Sequence, residues 1–160
     1  MITFANLGGG RHELHTEVVL PLSRGEVFPF FAAAENLERI TPPELAFRIV
    51  TPTPVDIREE VRIDYRLRLF GVPFSWRTRI SEWDPPHAFI DEQEAGPYHT
   101  WIHRHEFVEV TGGTRMADRV VFRLPLAPLS TPALPIVRAQ LRRIFTYRGR
   151  AIRRLLIDVD

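Results

Sequence analysis

The sequence predicts an α+β fold: a curved antiparallel β-sheet of about six to seven strands wrapped around a long C-terminal α-helix, with two short helices after the first strand. Three observations carry this. Apolar and polar residues alternate through much of the chain between His12 and Leu124, the period of strands with one buried face. After the first alternating run, the apolar spacing changes to three and four over Val27, Phe30, Phe31 and Ala34. Beyond a proline-rich stretch the helical spacing returns and runs to the end of the chain. A length of 160 residues suits one domain, residues 1–160, built on a single core.

Gly8-Gly9-Gly10 reads as a flexible lead-in, since it precedes a strand and so cannot be a phosphate loop. From His12 to Leu20, Leu14, Thr16, Val18 and Leu20 share one face, and Pro21 stops the run. Ser23 with Glu26 has capping-box spacing and opens the first short helix, in which Pro29 is tolerated. Asn36–Ile40 forms a second, ended by Thr41-Pro42-Pro43. Pro52 and Pro54 mark a turn. Val61, Ile63, Tyr65, Leu67 and Leu69 then alternate with Arg62, Asp64, Arg66 and Arg68. Past Gly71-Val72-Pro73, Phe74, Trp76, Thr78 and Ile80 alternate with Arg77 and Arg79, giving a hairpin with one solvated face. Asp84-Pro85-Pro86 and Gly96-Pro97 are turns around a strand with Phe89, Asp91 and Gln93 on one side. Thr111-Gly112-Gly113-Thr114 is a hairpin signal, followed by Met116, Asp118, Val120, Phe122 and Leu124 in alternation. Pro125, Pro128, Pro132 and Pro135 form a linker. From about Pro135 to Val159, Val137, Leu141, Ile144, Phe145, Ile152, Leu155 and Leu156 make the inner stripe of one amphipathic helix with an arginine-rich outer face.

Composition narrows the function. The formal net charge is +1, and acidic residues are interleaved with the arginine rows, so these are a solvated face and no nucleic-acid partner is expected. Every basic side chain is arginine, which fits codon bias as well as selection for guanidinium contacts. Cysteine is absent, excluding disulfides, thiolate nucleophiles and thiolate metal ligands. Met1–Leu7 has no basic segment leading into an apolar run, so no signal peptide is expected. No apolar run approaches the roughly 20 residues of a membrane span. A cytoplasmic protein without stable membrane insertion is expected.

The most informative segment runs from Gly96 to Phe107. As a strand it places His99, Trp101, His103, His105 and Phe107 on one face, where a plain core strand would carry aliphatic residues. Counting back through the hairpins places Asp91 opposite Trp101, Gln93 opposite His99, and Asp118 opposite Phe107 and diagonal to His105, within about two residues. A sheet curved around a helix cannot pack along its whole length, and the gap is where a ligand would sit. In this reading Trp76, Phe89, Trp101 and Phe107 supply apolar area, together with Phe122, Leu141 and Phe145. His99, His103, His105, Asp91, Gln93 and Asp118 form its polar end.

Several local patterns resemble the START and Bet v 1-like (SRPBCC) superfamily. They are Asn36-Leu37 with Ile40-Thr41-Pro42-Pro43, and Phe89-x-Asp91-x-Gln93-x-x-Gly96-Pro97 leading into Trp101-x-His103-x-His105-x-Phe107. Asp118 followed by Leu124-Pro125-Leu126, and Ile144-Phe145-x-Tyr147-Arg148, complete the set. They cover nearly the whole chain and resemble most a bacterial branch of cyclase/dehydrase-like or ligand-binding members. The resemblance implies a helix-grip fold with a hydrophobic cavity under the C-terminal helix. It does not select an activity, because the superfamily holds carriers, receptors, cyclases and oxygenase subunits. The iron-bearing helix of those oxygenase subunits has no match here.

Three readings of the polar cluster stay open. It orients the head of a small hydrophobic or aromatic ligand. It is a satisfied internal network that fixes the sheet. Or it is chemical: His103, His105 and Asp118 are the candidate catalytic groups for a cyclase, dehydrase or hydrolase. The pair His103 and His105 could also chelate a metal, with Asp118 or His99 completing the site. No motif fixes a third ligand, so neither metal nor cofactor is assigned. Ligand binding is the leading expectation, a cyclase/dehydrase-like or hydrolase enzyme the second, and an accessory module to an epimerase-like enzyme the third. The expected partner is a small hydrophobic or aromatic molecule, with a homodimer left open. Arg148 either reaches Asp118 or lays its stem along the helix edge with its head in water. His12, His15 and His87 are expected at the surface, and no serine lies in a nucleophile elbow.

Overall fold

The structure is a computed structural model that describes residues 1–158. Its strands are β1 (Thr3–Gly8), β2 (Arg11–Leu20), β3 (Arg48–Ile49), β4 (Arg62–Leu69), β5 (Val72–Asp84), β6 (Ala88–Ala95), β7 (Thr100–Val110) and β8 (Gly113–Arg123). The helices are α1 (Arg24–Phe31), α2 (Asn36–Arg39) and α3 (Leu134–Leu156). All strands belong to one antiparallel sheet in the order β1-β2-β8-β7-β6-β5-β4-β3. The sheet therefore has eight strands, two beyond the alternating runs. One addition is the two-residue β3. The other is β1, which pairs with β2 through Gly8, Gly9 and Gly10, all at positive φ. The glycines are a hairpin turn, not a lead-in. The edge strand they attach is mostly exposed, so no inner face marks it in the sequence.

Physical chemistry at the ends of α1 and α3 explains their positions. The Glu26 carboxylate reaches back to accept hydrogen bonds from the Ser23 N–H (2.9 Å) and hydroxyl (2.7 Å), fixing the start of α1. Pro135 sits in the first turn of α3, where its missing N–H costs nothing. The expected end of α3 at Val159 lies outside the described residues; the helix itself closes at Leu156. Its buried stripe is Leu141, Phe145, Arg148 and Ile152, at spacings of four, three and four.

Among the described residues, three apolar clusters hold this frame. Phe28 and Phe31 of α1 pack on Phe89, Phe107 and Met116 of the sheet, beneath Ala151 and Ile152 of α3. Leu141 and Phe145, nearer the start of α3, cover Leu14, Val120 and Phe122. Ile63 and Tyr65 of β4, with Ala34, form the third at the other side of the sheet. On the outer face three arginines of the rows have acidic partners: Arg62 pairs with Glu94 at 2.8 Å, Arg77 with Asp64 at 2.8 Å, and Arg79 with Glu60 and Glu92 at 3.1 and 3.3 Å. No helix among the described residues is long and apolar enough to cross a membrane.

Candidate functional site

Between the clusters, the sheet and α3 enclose a space of about 180 Å3. Its walls come from α1 and α2 (Phe31, Leu37), the strands β4 and β5 (Ile63, Leu67, Trp76) and α3 (Leu141, Ile144). One wall is an aromatic group. Trp101 meets Tyr98 at 4.8 Å between ring centres and Trp76 at 5.3 Å edge to face. Burial drives the phenol pKa values of Tyr65 and Tyr98 upward, so both are neutral hydrogen-bonding groups at this wall.

The polar end is a compact set of charges on three adjacent strands and one helix. In the sheet, Asp91 of β6 lies opposite His103 of β7, and His105 lies opposite Asp118 of β8. Both registers differ by two residues from the sequence count, which puts Asp91 opposite Trp101 and Asp118 opposite Phe107. The hydrogen bonds run diagonally. His103 Nε2 bonds Asp118 Oδ1 at 2.8 Å, and His105 Nε2 bonds Asp91 Oδ2 at 2.8 Å. The facing contacts are His103 Nδ1 to Asp91 at 3.6 Å and His105 Nδ1 to Asp118 Oδ1 at 3.0 Å. The two imidazoles lie 3.8 Å apart between centres. Behind them Arg148 brings Nε to 3.5 Å from Asp118 Oδ2. The Nε of Arg148 and the Nδ1 of His105 have no aligned hydrogen-bond partner among the described residues.

Burial raises the pKa of both carboxyl groups, but charge outweighs it. Arg148 and the two imidazoles hold Asp118 well below the usual carboxylate range, and His103, His105 and Arg148 lower Asp91. The imidazoles separate. Burial and the neighbouring His105 lower the pKa of His103. For His105 burial also acts downward, but the carboxylates of Asp118 and Asp91 prevail and raise it. With His105 charged, the two carboxylates and one guanidinium would make the cluster neutral, the arrangement low-dielectric surroundings favour.

Not every residue expected at the site reaches it. Trp76, Phe89, Asp91, Trp101, His103, His105, Leu141 and Phe145 line the space. His99 lies outside β7 and is exposed, its Nδ1 3.1 Å from the Thr100 hydroxyl. The alternation breaks at the turn before β7, and Tyr98, assigned to the opposite face, takes the inward place. Gln93 does not line the space either. Its amide donates to the Tyr98 carbonyl (2.7 Å) and accepts from the Tyr98 N–H (3.2 Å), fixing the turn that aims Tyr98 inward. Phe107 and Phe122 do not line the cavity but sit in the core, Phe107 5.2 Å from Phe28 between ring centres. Asp118 stands behind the two histidines. His12, expected at the surface, is buried against Phe122 and faces Arg138, which lies 3.2 Å from its Nδ1. Arg148, one of two alternatives in the sequence, is buried and turned to Asp118. Its sign was legible: an arginine in the apolar stripe of a helix is inside unless it can reach water. Asp91, His103 and His105 each offer a donor atom within 4.8 Å of the others, the set best placed to hold a metal ion.

No protein-family model and no curated protein matches the chain. Solved structures do. Protein Ms6760 from Mycobacterium smegmatis superposes with a TM-score of 0.69 at 19% identity, over 100% of this chain and 98% of that one. TTHA0849 from Thermus thermophilus gives 0.66 at 17%, over 92% and 99%. Ara h 8.0201 gives 0.59 at 15%, over 89% and 98%. The chain shares the helix-grip fold of these solved structures.

Proposed function

We propose that the protein binds a small aromatic or hydrophobic molecule between its sheet and α3, with the ligand's polar group turned to Asp91, His103 and His105. The observation that carries this is the pairing of an aromatic wall with a buried charged end around one space of about 180 Å3. A structural network alone needs no space beside it, because close packing lowers the free energy of a core. A dry cavity of roughly 150 Å3 is enough for benzene. The ligand class is therefore a single ring bearing a hydrogen-bonding substituent. Trp76, Tyr98 and Trp101 offer edge and face contacts to such a ring, each worth about 0.5–1.5 kcal/mol beyond area burial.

Calorimetric titration with phenol and with toluene tests the reading. Saturable one-to-one binding of phenol, tighter than that of toluene and weakened about tenfold or more by Trp101→Leu, is expected. Absence of binding by either compound, or binding that Trp101→Leu leaves unchanged, would overturn it.

A further inference from the structure

We infer that Asp91, His103 and His105 form a binding site for one divalent metal ion of the zinc class, with Asp118 as the shared group that orients both histidines. The donors come from neighbouring positions on β6 and β7, and His103 and His105, two apart on a strand, point the same way. His103 Nδ1 and His105 Nε2 approach Asp91 Oδ2 at 3.6 and 2.8 Å, and one donor atom from each residue lies within 4.8 Å of the others. An ion about 2.0–2.1 Å from each donor needs them about 3.3 Å apart; the two Asp91 contacts bracket that spacing, and the imidazoles would turn to bring their donors, within 4.8 Å, to it.

The surroundings are those of a metal site rather than of a chance cluster. A ligating histidine donates its other ring N–H to a carboxylate or carbonyl, which fixes the tautomer. Here the nitrogens left over are His103 Nε2, hydrogen-bonded to Asp118 Oδ1 at 2.8 Å, and His105 Nδ1, which lies 3.0 Å from the same oxygen and would align with it as the ring turns onto the ion. Arg148 Nε lies 3.5 Å from the other oxygen of that carboxylate. Thus each histidine has one nitrogen toward Asp91 and one toward Asp118, and the three donor residues all face the cavity while Asp118 does not. The fourth position of a tetrahedral ion would open into the cavity.

Charge sets what would fill it. Asp91 and Asp118 carry two negative charges against the one of Arg148, so a divalent ion leaves a single positive charge. A hydroxide or an anionic oxygen would neutralise that charge. Imidazole and carboxylate donors suit Zn2+, Co2+ and Ni2+ better than Ca2+ or Mg2+. The inference stands whether or not an aromatic molecule occupies the rest of the cavity.

The test is equilibrium dialysis of the chelator-stripped protein against Zn2+ alone, with Co2+ absorption and X-ray absorption spectroscopy on the wild-type protein. One ion per chain is expected, with tetrahedral Co2+ bands and two imidazoles in the coordination shell. Asp91→Asn, His103→Ala and His105→Ala should each weaken binding about 100-fold or more, and Asp118→Asn by about 10–100-fold. His87→Ala, at an exposed turn, should bind as the wild type does. No stoichiometric binding, or a wild-type coordination shell without two imidazoles, would overturn the inference. The spectroscopy decides this even if a variant fails to fold.

Discussion

His103 and Asp118 are hydrogen-bonded across adjacent strands at 2.8 Å although neither is the other's partner in the sheet register. His105 and Asp91 repeat the pattern on the other side of β7. Each imidazole is thus bonded diagonally to one carboxylate and faced directly by the other. The crossing ties β6, β7 and β8 together through side chains, and Arg148 connects the same cluster to α3. Cavity wall and scaffold share one set of residues.

Because Arg148 is buried beside Asp118, Arg148→Met leaves a buried carboxylate without its cation. The cost should be about 3–5 kcal/mol in urea denaturation. Arg148→Met combined with Asp118→Asn should recover part of this loss, since the uncompensated charge is gone. A single variant within about 0.5 kcal/mol of wild type would show that the pair carries no energetic role.

The metal-free protein should be most stable near pH 6.5. In the unfolded chain both histidines titrate near 6.5. His103, with a lowered pKa, binds its proton less readily when folded, so below about pH 6.5 the unfolded state binds more protons and stability falls as pH falls. His105, with a raised pKa, keeps its proton when folded, and its contribution is lost as pH rises through that folded value. Asp91 and Asp118, both lowered, add to the loss below about pH 4. Urea titrations in chelator at about pH 4, 6.5 and 8.5 check this. Stability that climbs steadily through pH 8.5 would contradict it.

Gln93 acts on the turn, so Gln93→Ala should cost about 1–2 kcal/mol from two lost hydrogen bonds to Tyr98. Gly96→Ala should do similar damage, because a Cβ there would lie 2.5 Å from the Gln93 Oε1. Thermal denaturation of both variants, with near-ultraviolet circular dichroism on the aromatic wall, reads the effect. An unchanged aromatic spectrum in both would remove the link from Gln93 to Tyr98.

Phe107 separates the core from the site. It is 1% exposed and packs among Phe28, Phe31 and Phe89, outside the lining of the cavity. Phe107→Leu should lower stability by about 1–3 kcal/mol while phenol affinity stays within about twofold. Loss of affinity with stability intact would place Phe107 at the ligand instead.

What the sequence made legible follows from period and punctuation. Alternation marks β2, β4, β5, β7 and β8 because each has one apolar inner face, and spacings of three and four mark α3. The strand β1 lacks such a face and β3 is too short to show a period, so neither stands out in the sequence. At the site, the inward row from Trp101 to His105 could be read, but partners could not. Strand pairing depends on turns: the β7–β8 turn at Thr111-Gly112, where Val110 faces Gly113, moved Asp118 by two positions, and the bend around Gly96–His99 moved Asp91 by two. The same bend exchanged Tyr98 for His99. Arg148 lay in the buried stripe of α3, yet only the fold shows the carboxylate that makes its burial tolerable.

The most direct measurement is methyl NMR of the isotopically labelled wild-type protein during addition of phenol. Saturable shifts are expected at Ile63, Leu67, Leu141 and Ile144, which line the cavity, with little change at the exposed Leu126, Leu129 and Ile136. Shifts confined to the exposed set, or none at the lining methyls under saturating phenol, would contradict binding in the cavity.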